Sequence, residues 1–217
     1  MPRAREDKAV RVSPVELVRD QAAGADRYRF SISSHEYTVE PSGKGVMRYA
    51  GQPDREFSLP GTGDAGIVLT HSAMFQGDLL LLYHVAAADA GSGALVRLDG
   101  KTLGLRWNAR IPGFNIGPPL IYDGAAYVTC IGFVGKIELR GGRYLWRNED
   151  LYDKLGLDKF WTPAIRGKLV VFRGSSSIPP AAARALALEV DAKKGKVLRV
   201  YDVRTKEPVP YALPAAR

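Results

Sequence analysis

Four carboxylates invite a catalytic reading: Asp64, Asp78, Asp123 and Glu138. Two acids converging on one cleft would serve a glycoside hydrolase, one as proton donor and the other as nucleophile or base. Asp78 and Asp123 adjoin Gly77 and Gly124, however, and turn-forming residues are expected beside such glycines. Asp78 and Asp123 therefore read as turn residues, and no catalytic residue is expected. His71 and Ser72, with Asp64, supply the residue types of a nucleophilic triad, yet no strand-to-helix elbow surrounds the serine. His35, His71 and His84 stand at no metal-ligand spacing with one another or with Cys130. Cys130 lies in the strand-like Tyr127-Val-Thr-Cys-Ile, where a cysteine acts as a small buried hydrophobe. Gly61-Thr-Gly-Asp-Ala-Gly66 has the letters of a dinucleotide fingerprint. Pro60 precedes it and the strand-like Ile67-Val-Leu-Thr follows where a helix should begin, so it reads as a loop. Neither a cofactor nor a metal is expected.

Recognition is better provided for. Arg173-Gly174-Ser175-Ser176-Ser177-Ile178-Pro179-Pro180 offers adaptable hydrogen bonding on a segment whose prolines limit ordering entropy. A second segment, Arg110 to Pro118, presents Phe114 and Asn115 between glycines, with Phe114 expected to plug a channel. These are the expected partner-binding residues, and the expected partner is another protein. The net charge of +8 is concentrated late in the chain: residues 159–217 carry 12 basic and 4 acidic side chains. Lys193, Lys194, Lys196, Arg199, Arg204 and Lys206 would give a polyanion a salt-sensitive foothold, although no nucleic-acid-binding module is recognisable and nucleic acid is not the favoured partner.

What must position these residues is a repeat. Ala73-Met-Phe-Gln-Gly77, Pro119-Leu-Ile-Tyr-Asp-Gly124 and Pro163-Ala-Ile-Arg-Gly167 each run into an apolar strand. The glycines are 47 and 43 residues apart, within the range of propeller blades. A second element follows each: Leu95 to Trp107, Lys136 to Trp146 and Leu186 to Arg199, with Tyr37 to Tyr49 as an earlier copy. Each reads as a strand, an Asp or Glu turn, a glycine free to take positive φ, and a returning strand. The spacing of Asp99, Gly104 and Trp107 differs from that of Arg140, Gly142 and Trp146, and of Asp191, Gly195 and Arg199.

These phrases resemble the blade of quinoprotein-type (pyrroloquinoline-quinone-like) β-propellers, over roughly residues 28–200. That family's tryptophan-docking pattern asks for Asp, Thr-Gly and Trp. Asp99, Gly104 and Trp107 match with one residue inserted, and Arg140 and Arg199 stand in the Asp and Trp places of later copies. The resemblance implies an all-β fold, a small propeller of about four to five blades made of four-stranded antiparallel sheets. It would be closed by one terminus completing a blade begun by the other. An open sandwich or calycin-like barrel is the alternative. The quinone-dependent enzymes of the family need more blades, a calcium site and often adjacent cysteines. This chain has one cysteine and no matching ligand set, which points to a non-enzymatic branch.

Ser13-Pro14-Val15-Glu16 forms a capping box, predicting a short helix over 14–23. The expected organisation is an N-terminal segment, 1–27, and a repeat domain, 28–217. No apolar run reaches membrane-spanning length. A periplasmic, bacterial location is expected if a leader has been removed, and a cytoplasmic one otherwise. The expected role is a non-enzymatic protein-binding propeller, either an assembly scaffold or an inhibitor of the immunity-protein kind that blocks a hydrolase or toxin. A propeller-type glycoside hydrolase and polyanion binding through the basic C-terminal region are the alternatives.

Overall fold

The computed structural model describes residues 9–20, 25–61, 66–85, 91–176 and 184–211. It is nearly all-β, with 19 strands in four antiparallel sheets and one short helix, α1 (Leu151–Leu155), among the described residues. Sheet I is a meander of β2 (Glu16–Asp20), β3 (Ala25–Ile32), β4 (His35–Val39), β5 (Lys44–Tyr49) and β6 (Arg55–Ser58). Sheet II runs in the order β1 (Val12–Pro14), β7 (Ile67–Phe75), β8 (Asp78–Val85), β9 (Ser92–Leu98) and β10 (Leu105–Pro112). Sheet III comprises β11 (Leu120–Tyr122), β12 (Ala125–Cys130), β13 (Phe133–Glu138) and β14 (Tyr144–Asn148). In sheet IV, β15 (Leu157–Phe160) and β16 (Ala164–Arg166) both pair β17 (Leu169–Ser176), followed by β18 (Ala185–Asp191) and β19 (Val197–Asp202). The expected all-β class of blade-like antiparallel sheets is borne out. None of the described sheets closes into a barrel.

By contact density the chain divides into two compact units, 9–114 with 139–142, and 115–138 with 143–211 among the described residues. In the first, sheets I and II share a core of Tyr28, Tyr37, Val39, Met47 and Phe57 with Leu79, Leu81, Tyr83, Val96 and Leu98. In the second, sheets III and IV share Tyr127, Val134 and Trp146 with Phe172, Leu188, Val190 and Val200. Each of these side chains contributes on the order of 1.5–3 kcal/mol on burial, so the sheets depend on their neighbours rather than on their own ladders.

The repeated glycines do what their sequence context predicts. Gln76-Gly77 and Asp123-Gly124 both have positive φ and close two-residue hairpins, with Phe75 opposite Asp78 and Tyr122 opposite Ala125. Such turns carry the twist that flanking strands need.

Three expectations are corrected. The helix expected over 14–23 does not form in its described part, residues 14–20: Val12–Pro14 and Glu16–Asp20 are strands, and the Val15 N–H donates to the Thr70 carbonyl at 2.9 Å. An isolated helix of this length is marginal, whereas β7 and β3 offer edges to pair. Secondly, no described sheet mixes the two ends of the chain. The N-terminal strands join sheets I and II, and β19, the edge strand of sheet IV, is the returning arm of the Asp191 hairpin.

Thirdly, the turns are uniform. Asp99, Asp191 and Asp202 each receive the N–H of the residue four positions on and give their own N–H to the carbonyl five on. The fourth residue is left-handed in every case, and the turn opened by Glu138 places a left-handed glycine at the same step: Leu103 (φ 58°), Gly142 (72°), Gly195 (73°) and Lys206 (64°). Glu138, not Arg140, therefore occupies the Asp place, and Leu103 rather than Gly104 takes the strained conformation. Eight residues past Asp99, Glu138 and Asp191 stand Trp107, Trp146 and Arg199, with no insertion. The Asp202 turn is a further copy that sequence reading missed.

Candidate functional site

Three returning strands carry a β-bulge: the register shifts between Leu105 and Trp107, between Tyr144 and Trp146, and between Val197 and Arg199. A bulge re-aims the next side chain. It turns Trp107 so that its indole N–H donates to the Leu139 carbonyl at 3.0 Å while the ring lies against Gly142. Trp146 repeats this with the Ala192 carbonyl at 3.2 Å and Gly195. A Cβ on either glycine would sit 2.6 or 2.5 Å from the ring, so glycine is required both for φ and for this approach.

A cation shares each acceptor. Arg97 donates from Nη1 to the Leu139 carbonyl at 2.6 Å, and Lys136 from Nζ to the Ala192 carbonyl at 2.9 Å. Arg97 is itself held by Asp78, whose Oδ2 lies 2.6 Å from Nε and Nη2 and 2.7 Å from Arg106 Nε. Asp78 Oδ1 accepts the Gly100 N–H at 3.0 Å. Lys136 instead rests over the Tyr127 ring at 5.2 Å, and desolvation lowers its pKa. Burial pushes the Tyr127 hydroxyl up to about 12.

Of the other carboxylates with catalytic potential, one is ion-paired and one sits in a turn. Glu138 pairs with Arg143 at 2.9 Å, and Asp123 is a left-handed turn residue. Asp64 lies outside the described residues. The carboxyls of Asp99, Asp191 and Asp202 are held below their ordinary pKa by backbone N–H donors of their own turns, Thr102, Lys194 and Thr205 foremost. Among the described residues no three metal-ligating side chains cluster.

His35 stacks on Tyr49 at 4.8 Å between ring centres. His71 and His84 both have a buried Nδ1 without a hydrogen-bond partner among the described residues, and desolvation lowers both pKa values. Cys130 is fully buried, and its thiol is pushed up to about 12 by desolvation.

The Ser/Pro segment is only partly the loop expected. Arg173 to Ser176 end β17: Gly174 pairs with Phe160 and Leu186, Ser176 is buried, and Ser175 Oγ lies 3.4 Å from Asp158 Oδ1. Strand pairing uses these backbones, which the serine-rich composition concealed. Ser177 to Pro180 lie outside the described residues, and Arg173 is exposed. Phe114 is 47% exposed rather than a plug, and Asn115 is left-handed with φ 54°.

Two sheet faces look outward. On sheet I the row Glu16, Arg29, Thr38, Val46, Glu56 crosses the strands beside Ser31, Glu36 and Arg48. Its charges are mixed and paired: Arg48 with Asp54 at 3.0 Å and Arg27 with Glu40 at 3.9 Å. A shallow hollow of about 600 Å³ lies over this face, lined by Arg27, Thr38, Lys44 and Glu56 among others. On sheet IV the register puts Lys159, Arg166, Arg173 and Arg199 on one face with Glu189 and Asp191. Trp161, half exposed, follows Lys159 and Phe160 and gives its N–H to the Arg173 carbonyl at 2.9 Å.

No family model matches this chain, and no curated protein does. Solved structures that resemble it include a europium-containing methanol dehydrogenase, at 14% identity and TM-score 0.48, covering 65% of this chain and 26% of that one. Another is BamB from Moraxella catarrhalis, at 12% identity and TM-score 0.39, covering 88% and 65%. The chain thus spans about a quarter and just under two thirds of their respective lengths. Among the described residues no helix is long and apolar enough to cross a membrane.

Proposed function

We propose that this chain is a non-enzymatic, protein-binding protein of propeller-type sheets, acting as an assembly scaffold or as an inhibitor that blocks a partner enzyme. One observation carries the reading. The acids best placed for chemistry are committed to structure, with Asp78 gripped by Arg97 and Arg106 and Glu138 by Arg143. Large side chains face solvent instead: Trp161 at 50% and Phe114 at 47% exposed. Aromatic anchors of this kind carry much of the energy of protein interfaces. Both Asp78 oxygens are taken, one by Arg97 and Arg106 and the other by the Gly100 N–H, which leaves neither aimed at a substrate and weighs against the glycoside-hydrolase alternative.

The test is stoichiometric capture from the source organism's extract by the intact chain, followed by the same capture with Trp161→Ala and Phe114→Ala. A defined protein retained by the parent and released at least tenfold by one variant is the expected result. Turnover of a glycoside substrate that disappears in Asp78→Asn, with no retained protein, would overturn the reading.

A further inference from the structure

The outward face of sheet IV carries cations without a carboxylate partner among the described residues. Lys159, Arg166, Arg173 and Arg199 share this face by strand register, and all four are exposed. Arg199 occupies the place that Trp107 and Trp146 hold in their own strands, eight residues beyond the acid that opens the turn. Its guanidinium lies 4.7 Å over the Tyr201 ring and donates to the Lys206 carbonyl at 3.2 Å, while Lys206 Nζ lies over the same ring at 5.8 Å. Both cations thus lie against one aromatic ring, which is buried in a cluster with Val171 and Ala187.

None of these cations forms an ion pair with a described carboxylate, in contrast to Arg48 and Arg27 of sheet I. Asp191, which shares the face, is occupied in capping its own turn through the Lys193 and Lys194 N–H groups. The only other acid in these rows is Glu189.

We infer that this face docks an acidic segment of a partner protein, its carboxylates reaching Arg199, Lys206, Arg173 and Arg166. The inference rests on the protein-binding reading above and names the chemistry of the partner. Carboxylate forks suit arginine geometry. A nucleic acid fits less well, because Tyr201 is only 6% exposed beneath its two cations and cannot stack on a base. Glu189 also interrupts the positive rows, which favours discrete acidic groups over a uniformly charged strand.

The test is a fluorescence-anisotropy titration of the intact chain with a labelled twelve-residue Asp/Glu/Gly peptide, its Lys/Gly counterpart, a twelve-nucleotide oligothymidylate, and vesicles of anionic lipid. The acidic peptide is expected to bind with an affinity that falls at least tenfold between 50 and 200 mM salt, a range over which several ionic contacts are lost. Binding should drop a further tenfold in Arg173→Glu/Arg199→Glu and, separately, in Lys159→Glu/Arg166→Glu, and stay unchanged in Arg48→Glu of sheet I. Tighter binding of the oligonucleotide or the vesicles, no peptide binding at low salt, or equal loss in Arg48→Glu would each overturn it. A partner captured by the parent and kept by both double variants would sink this inference and leave the protein-binding reading standing. Peptide binding lost in the double variants, but with no protein captured by the parent, would overturn the protein-binding reading and the partner inferred from it, leaving only a face that takes carboxylates.

Discussion

At the Leu139 carbonyl, Trp107 shares its acceptor with Arg97, and Arg97 is backed by the buried Asp78. At the Ala192 carbonyl, Trp146 shares its acceptor with Lys136, and the support is the Tyr127 ring together with an Asn148 amide bonded to the Gly195 carbonyl at 2.9 Å. The indole, the acceptor and the glycine are the same. What differs is how the charge beside them is stabilised, by a counter-ion in one station and by an aromatic face and a carbonyl in the other. A docking geometry can therefore be kept while its electrostatic support is rebuilt, and the two stations should fail differently.

The largest separation should come from Asp78→Ala. It leaves Arg97 buried without its carboxylate and should cost about 3–5 kcal/mol, read as a drop in the urea midpoint. Lys136→Met removes a charge and its own desolvation penalty together and should cost about 1 kcal/mol. Equal losses would break the contrast. Next come Gly142→Ala and Gly195→Ala. Each combines a left-handed backbone with collision against an indole and should lose about 2–4 kcal/mol. A small loss at either would show that the ring is not pressed on that glycine.

Trp107→Phe and Trp146→Phe delete one hydrogen bond each, worth about 1 kcal/mol. The acceptor keeps its cation in both, so the two losses should match, and differential scanning calorimetry would show it.

Acid titration separates sheet II from the turns. His71 and His84 have lowered pKa values in the folded chain, so the unfolded chain takes up protons first as pH falls. Their contribution is complete above the ordinary histidine value of about 6.5 and is lost as pH falls below it. Asp99, Asp191 and Asp202 are also lowered, and their contribution goes only below the ordinary carboxylate value of about 3.9. Melting temperature against pH should show an upper shoulder that His71→Gln/His84→Gln reduces. Its persistence would exclude these imidazoles.

Strand content, the hairpin glycines and the existence of a repeat were legible because they follow from local chemistry: Asp123-Gly124 encodes its turn whatever surrounds it. The spacing of the repeat was harder to read. Gly104 attracts the eye as the residue of positive φ, but Leu103 holds that place, and no letter code marks a leucine kept left-handed by burial. Glu138 was passed over as a turn opener because its longer side chain reaches Arg143 instead of capping its own backbone. The Ser13-Pro14-Val15-Glu16 capping box was a sound local signal, overruled by strand edges far along the chain. Arg97 and Arg106 were invisible as a site, since only the fold brings them to Asp78.

Leu103 is only 3% exposed, in the core that sheets I and II share, at the step where the other two docking turns keep a glycine bare for an incoming indole. Bulk has migrated from the visiting side chain to the host turn. Copies with the same spacing are consequently not interchangeable cassettes. Grafting the Asp191 turn into sheet II would open a leucine-sized void, while the reciprocal graft would wedge a leucine into Trp146. Recombination among these repeats is thereby restricted to segments that carry both halves of each bargain.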